Sequence, residues 1–265
     1  MAKYYFDPQI VIATARKEIG YVEKKSNKDL DDPKANAGDK NYTKYARDLD
    51  AIGWFNGKKQ GICGWCAIFC CWVFWKSYGT DEALRLLCQH KGAGNCAAGP
   101  QYALNYFKAK KQLYTTPQPG DQIFFLPADG GTKASHTGLV VDVDSKYVYT
   151  IEGNTSVNGV AGCVAEKKYA LGNARIAGYG RPDWGEPPAD EPDEDTGDEE
   201  LTAEGIPYYN SLDDAEPSGE LAEIKGIAIV AQTSFGFIGV NHEGHTVWVD
   251  IDDVKLVPRG GEDDE

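Results

Sequence analysis

Apolar residues recur at helical spacing through the first 110 residues and change to strand-like texture beyond about residue 120. Asp7-Pro8 reads as an N-cap with proline at the first helical position, predicting a helix through about Glu23 with Ile10, Val11 and Ala13 inward. The stretch 26–41 is polar, with Asp29, Asp31, Asp32, Asn36, Asp39 and Asn41, and reads as a surface loop before a short helix at about 42–49. From Cys66 to Trp75 the chain is apolar on every side, so as a helix it belongs in a core. Further helices are expected at about 81–91 and 100–109. After Pro119-Gly120-Asp121, alternating or β-branched runs separated by short turns predict strands at 122–126, 136–143, 147–152, 162–169 and 175–180, joined as an antiparallel meander. Helices first and strands after make an α+β domain.

The segment 185–200 breaks this texture. It holds three Pro, nine acidic residues and no apolar side chain larger than Ala, so it reads as an extended, disordered linker. It separates an expected domain at 1–184 from a second at 201–265 that ends in an acidic tail. Apolar runs at 226–231, 235–240 and 246–249, with a turn at 241–244, make the second domain all-β, a small barrel.

Charge follows the same division. Residues 1–184 carry 24 Lys+Arg against 18 Asp+Glu, a net +6, whereas residues 185–265 carry 3 against 23, a net −20. The mildly basic front suits an anionic target such as a wall polymer, or is ordinary surface charge. No basic stripe interleaved with aromatics is present, so nucleic acid is not an expected partner. No run reaches the ~18 apolar residues of a membrane span, so no membrane partner is expected either. The first residues lack a secretory pattern, which predicts synthesis in a cytosol, and seven irregularly spaced cysteines agree with that.

Among those cysteines, Cys66 follows Gly64-Trp65 and opens the apolar helix, where unpaired N–H groups and the helix dipole favour a thiolate. A nucleophilic thiolate needs a base, and the base an orienting acceptor. His136 starts one strand and Glu152 ends the next, so a hairpin brings them to one end of the sheet. Glu152 or Asn154 can then accept from the imidazole. Singly, each residue has an ordinary structural reading: a core cysteine, a surface histidine, a turn asparagine. Their joint occurrence in this order favours catalysis.

These residues sit in four ordered motifs: Trp65-Cys66-Ala67, Pro119-Gly120-Asp121-Gln122-Ile123-Phe124-Phe125, Ser135-His136-Thr137-Gly138-Leu139-Val140-Val141 and Tyr149-Thr150-Ile151-Glu152-Gly153-Asn154-Thr155. Together they resemble the CHAP (cysteine, histidine-dependent amidohydrolase/peptidase) domains of phage lysins and bacterial wall hydrolases, over roughly residues 7–182. The resemblance implies a papain-like fold, with Cys66 as nucleophile, His136 as base, and Glu152 and Asn154 as orienting or polarising groups. The stretch Gln60–Cys66 also looks like the papain-type segment in which a glutamine six residues before the nucleophile donates to the oxyanion, a role carried to Gln60 beside the Cys66 backbone N–H. The last domain is similar to bacterial SH3-like wall-binding barrels. The resemblance thus implies a peptidoglycan hydrolase acting as N-acetylmuramoyl-L-alanine amidase or as stem-peptide or cross-bridge endopeptidase. Its implied partners are peptidoglycan and associated wall polymers, with a monomer expected. An N-terminal catalytic domain, a linker and a wall-binding module fit a phage endolysin held in the host cytoplasm before release to the wall, with a host wall hydrolase or a tail-associated lysin as alternatives.

Rival readings use the same residues differently. Cys63-Gly-Trp-Cys66 matches a C-x-x-C redox motif, which would need a preceding strand in a βαβ unit. A zinc site from Cys63, Cys66, Cys70, Cys71, Cys88, His90 and Cys96 fits no common paired spacing, and His242-x-x-His245 is weaker still. Some CHAP relatives bind calcium near the loop at 29–41, but no D-x-D-x-[DN]-G pattern occurs, and no cofactor is expected. A non-enzymatic wall-binding or virion protein is the last alternative; the intact Cys, His, Glu and Asn argue against it.

Overall fold

A computed structural model describes residues 6–55, 63–90, 98–185, 199–202, 206–209, 217–221, 229–232, 237–242, 245–250 and 255–258. The chain divides into two compact units, Val11–Asp183, and Met1–Ile10 together with Trp184–Glu265. Helices precede strands in the larger unit, as an α+β chain requires: α1 (Pro8–Lys17), α2 (Lys44–Ala51), α3 (Cys66–Leu86) and α4 (Pro100–Ala109) come first. They are followed by β1 (Leu113–Tyr114), β2 (Gln122–Phe125), β3 (His136–Val143), β4 (Tyr147–Val157), β5 (Val160–Ala170) and β6 (Ile176–Gly180).

Helix α1 stops at Lys17, well short of the Glu23 that its apolar spacing predicts. Backbone pairing with β5 takes over there: Gly20 N–H donates to Val164 O (2.9 Å), and Val164 N–H to Tyr21 O (2.9 Å). Its buried residues are Ile10, Val11, Ile12 and Ala15, while Ala13 faces solvent. Helix α2 starts two residues later than expected, because the Thr43 hydroxyl accepts from Ala46 N–H and caps it. Helix α3 joins what the sequence reads as two helices, with a kink at Gly79 (φ 73°, ψ −178°), a backbone region essentially reserved for glycine.

The six strands form one antiparallel sheet in the order β1-β6-β2-β3-β4-β5. This is not a plain meander, since β6 leaves β5 and inserts between β1 and β2. Curling of the sheet is the physical reason. Two strands separate β2 from β5, about 14 Å in a flat sheet, yet the rings of Phe125 and Tyr169 lie 4.6 Å apart. A five-residue link, 171–175, then suffices to carry the chain from β5 to the side of β2. Register shifts between β3 and β4 and between β4 and β5 mark the irregularities that bend such sheets.

Inside the curl, Ile123, Phe125, Val140, Val148 and Tyr179 form one buried cluster. Helix α3 packs on β3, β4 and α2, and buries an aromatic group in which Tyr45 touches Trp65, Phe69 and Trp72. Strand β4 runs well past its predicted end at 152 and β5 starts slightly early, so the two meet in a tight hairpin. Asn158 (φ 49°) and Gly159 (φ 81°) occupy its two central positions, as a type I′ turn requires. Among the described residues, no helix is long and apolar enough to cross a membrane.

The smaller unit contains β7 (Glu199–Thr202), β8 (Ile206–Tyr209), β9 (Gly219–Leu221), β10 (Ile229–Gln232), β11 (Phe237–His242), β12 (His245–Asp250) and β13 (Lys255–Pro258). They make a five-stranded antiparallel sheet, β10-β11-β12-β8-β9, and a two-stranded one, β13-β7. Leu221, Val247, Trp248 and Val249 are buried. Most of the predicted linker, 186–198, lies outside the described residues, and Glu199 and Glu200 belong to β7.

Candidate active site

Helix α3 begins at Cys66, which is buried at 5% exposure and has Trp65 as its N-cap residue. The Trp65 carbonyl accepts the first helical bond, from Phe69 N–H at 2.8 Å. The Cys66 N–H, at the first helical position, has no intrahelical acceptor and can serve a ligand.

His136 opens β3, and Cys66 and Glu152 both act on its ring. Its Nε2 is hydrogen-bonded to Glu152 Oε2 at 2.9 Å, which leaves Nδ1 for the thiol. Burial disfavours charge on the imidazole, but the polar and charge interactions with Cys66 and Glu152 outweigh it and raise the pKa to about 10. The protonated imidazolium is the form these interactions favour. The side chain keeps 22% exposure, so part of it remains open to solvent.

Glu152 is 1% exposed, and burial alone would neutralise it. Its carboxyl is instead held below the usual value by bonds from His136, from Thr150 and from the Tyr169 hydroxyl. Thr150 Oγ1 donates to Oε1 at 2.7 Å, which satisfies the oxygen that His136 does not take. Of the two acceptors open in the sequence, Glu152 is therefore the one on the imidazole. Asn154, in left-handed backbone (φ 53°), turns elsewhere: its Nδ2 would lie 3.4 Å from a Cβ placed on Gly64, beside the nucleophile's loop. Gln60 lies outside the described residues.

Two glycines make this approach sterically feasible. A Cβ at Gly138 would stand 2.6 Å from Glu152 Cγ, so the bare backbone of β3 is the floor on which that side chain crosses to His136. A Cβ at Gly153 would stand 2.5 Å from Phe69 Cβ and 2.8 Å from Trp65 Cζ3, so β4 touches the first turn of α3 between Glu152 and Asn154. Thr150 stands in a sequence motif that gave it no role, although two residues apart on a strand means the same face. Tyr169 carried no sequence signal at all; the curl of the sheet delivers it.

Among the described residues the other candidates do not converge; Cys96 lies outside them. Cys63 is exposed, while Cys70, Cys71, Cys88 and Cys163 are buried free thiols, and burial pushes Cys70 well up and Cys88 to about 11. Among the described residues the first strand is β1, beyond α4, so α3 has no preceding strand of a βαβ unit. His90 is exposed and meets the edge of Tyr106. In the loop at 26–41, Arg47 binds both Asp31 oxygens at 2.7 Å. Asp32 Oδ1 accepts from the N–H groups of Lys34 and Ala35, and Lys24 Nζ donates to the Asp32 carbonyl at 2.7 Å. These donors engage the Asp31 carboxylate and one oxygen of Asp32, and among the described residues no three metal-ligating side chains gather.

A thiol at a helix start, an imidazole and a carboxylate hydrogen-bonded to that imidazole can carry out acyl transfer. Residues 53–154 match the CHAP domain family, a span that contains Cys66, His136, Glu152 and Asn154. No curated protein matches the chain. Among solved structures, "The crystal structure of Ly7917" aligns with a TM-score of 0.41 at 13% identity, covering 96% of this chain and 97% of that one. "The crystal structure of Ly7917 with the hydrolyzing product of MDP" aligns with a TM-score of 0.40 at 12% identity, covering 96% and 99%.

Proposed function

We propose that this protein is a peptidoglycan amidohydrolase that uses Cys66 as nucleophile, with the CHAP match over 53–154 pointing to the bacterial wall as substrate. The observation that carries the reading is His136, open to the Cys66 thiol on one side, hydrogen-bonded through Nε2 at 2.9 Å to a buried Glu152 on the other. The Cys66 thiolate attacks an amide carbonyl carbon, and the oxyanion gathers at the Cys66 N–H, with Asn154 and Gln60 as the candidate side-chain donors. The His136 imidazolium gives its proton to the departing amine as the C–N bond breaks, leaving a thioester. Neutral His136 then takes a proton from water, the hydroxide attacks the thioester, and the thiolate leaves. Glu152 holds the ring in orientation through both halves.

The bond cut is either muramoyl–L-alanine or one in the stem peptide or cross-bridge. A phage endolysin is the setting we favour, with the papain-like unit cutting and the smaller all-β unit, as an SH3-like barrel, binding wall. Mass spectrometry of fragments released from purified Gram-positive walls tests the proposal. New muropeptides with a free amine and carboxyl at one defined bond, absent with Cys66→Ala and His136→Ala, are expected. Release unaffected by Cys66→Ala would sink it.

A further inference from the structure

Glu23 is a buried acid, 6% exposed, with no part in the acyl-transfer steps. Its Oε2 accepts the indole N–H of Trp65 at 2.8 Å in buried surroundings. Leaving either partner alone there would cost the desolvation of an unmatched polar group. Glu23 itself is pinned by its backbone: its N–H donates to Gly162 O (2.8 Å), and its carbonyl accepts from Gly38 N–H (3.0 Å). Its side chain lies on β5, where a Cβ at Gly162 would come within 2.4 Å of Glu23 Cδ.

Trp65 is fully buried, directly precedes the nucleophile and supplies the first carbonyl of α3. Its far ring edge presses on β4 at Gly153, between Glu152 and Asn154. The indole therefore has two fixed supports, a carboxylate anchored on β5 and the backbone of β4 beside the catalytic carboxylate. A rotation or slide of Trp65 would move Cys66 relative to His136.

We propose that Glu23 is a positioning residue: acting through Trp65, it fixes the first turn of α3, and with it the Cys66 thiol and N–H, against His136 and Glu152. The inference rests on Cys66 being the nucleophile of the proposed reaction. A merely structural bond would contribute stability without setting that geometry, and the two roles separate experimentally.

The test uses the full-length chain and the variants Glu23→Gln, Glu23→Leu, Trp65→Phe and the double variant Glu23→Leu/Trp65→Phe. Three quantities are measured: turnover and half-saturation on purified walls, the pH profile of Cys66 alkylation by iodoacetamide, and urea unfolding. Glu23→Gln, whose amide oxygen accepts the same bond, is expected to keep turnover near wild type. Glu23→Leu is expected to lose about 10²-fold in turnover with half-saturation unchanged, the scale of a misplaced reacting group, and to show an altered alkylation profile. The double variant removes both polar partners, so it is expected to regain stability relative to the single ones while turnover stays low. Glu23→Leu at wild-type turnover, or a double variant that regains turnover along with stability, overturns the proposal. If Glu23→Leu does not fold, the folded double variant decides alone. If wild-type protein releases no Cys66-dependent fragments, the hydrolase reading fails, and the alkylation profiles still report on the Glu23 contact.

Discussion

His136 meets two opposed demands, since burial disfavours its charge yet the proposed chemistry needs a proton. The interactions with Cys66 and Glu152 win, raising its pKa to about 10, and on the proposed mechanism that value sets where activity ends. In the proposed reaction the imidazolium protonates the leaving amine, so the alkaline limb of the wall-clearing rate is expected near pH 10, above the unperturbed histidine value of 6.5. The sign for stability is the same. A raised histidine stabilises the fold fully below 6.5 and ceases to do so as pH climbs through about 10. Glu152, lowered from 4.5, stabilises above that value and loses its contribution as acid protonates it. Glu152→Gln removes a charge that holds the imidazolium, so turnover should fall about 10²-fold and the alkaline limb should move to lower pH. A pH–rate profile of this variant with its limb still near pH 10 would show that Cys66 alone sets the histidine.

Strand pairing decides whether these residues meet, and here the sequence could be read only in part. Cys66, His136 and Glu152 were legible because each stands in a short motif with its own local grammar, a helix start or a strand. Helix α4 came out within its predicted bounds, since Pro100 marks its start and the apolar spacing runs unbroken to Ala109. Glu23, Tyr169 and the insertion of β6 were not legible. Each depends on a contact between segments far apart in the chain, created by curling that no single strand encodes. The fit between β3 and β4 is tight enough to test. Gly138→Ala places a Cβ 2.6 Å from Glu152 Cγ and 3.1 Å from the Ile151 carbonyl, so a neighbour must shift. We expect a loss of about 1–3 kcal/mol in urea unfolding. Wall-clearing should fall further than the folded fraction does, because the displaced group is the one that orients His136.

Across the whole molecule, charge is distributed against the proposed target. Residues 185–265 carry a net −20, whereas 1–184 carry +6, and wall polymers are themselves anionic. Repulsion should therefore limit binding in dilute salt and fade as the Debye length shrinks from about 30 Å at ~10 mM to about 8 Å at ~150 mM. Cosedimentation with purified walls is expected to rise over that interval. Replacing the nine acidic residues of 185–200 by their amides should flatten the rise; a fall in binding with salt for the natural chain would contradict the expectation. The β4–β5 hairpin adds an opening of a different kind. Its tip, with Val157 and Val160 exposed around Asn158-Gly159, lies just beyond Asn154 on the strand that carries Glu152. Tips of this kind tolerate added residues. Foreign loops could be grafted there and selected for a changed choice of bacterial target, leaving the reacting groups untouched.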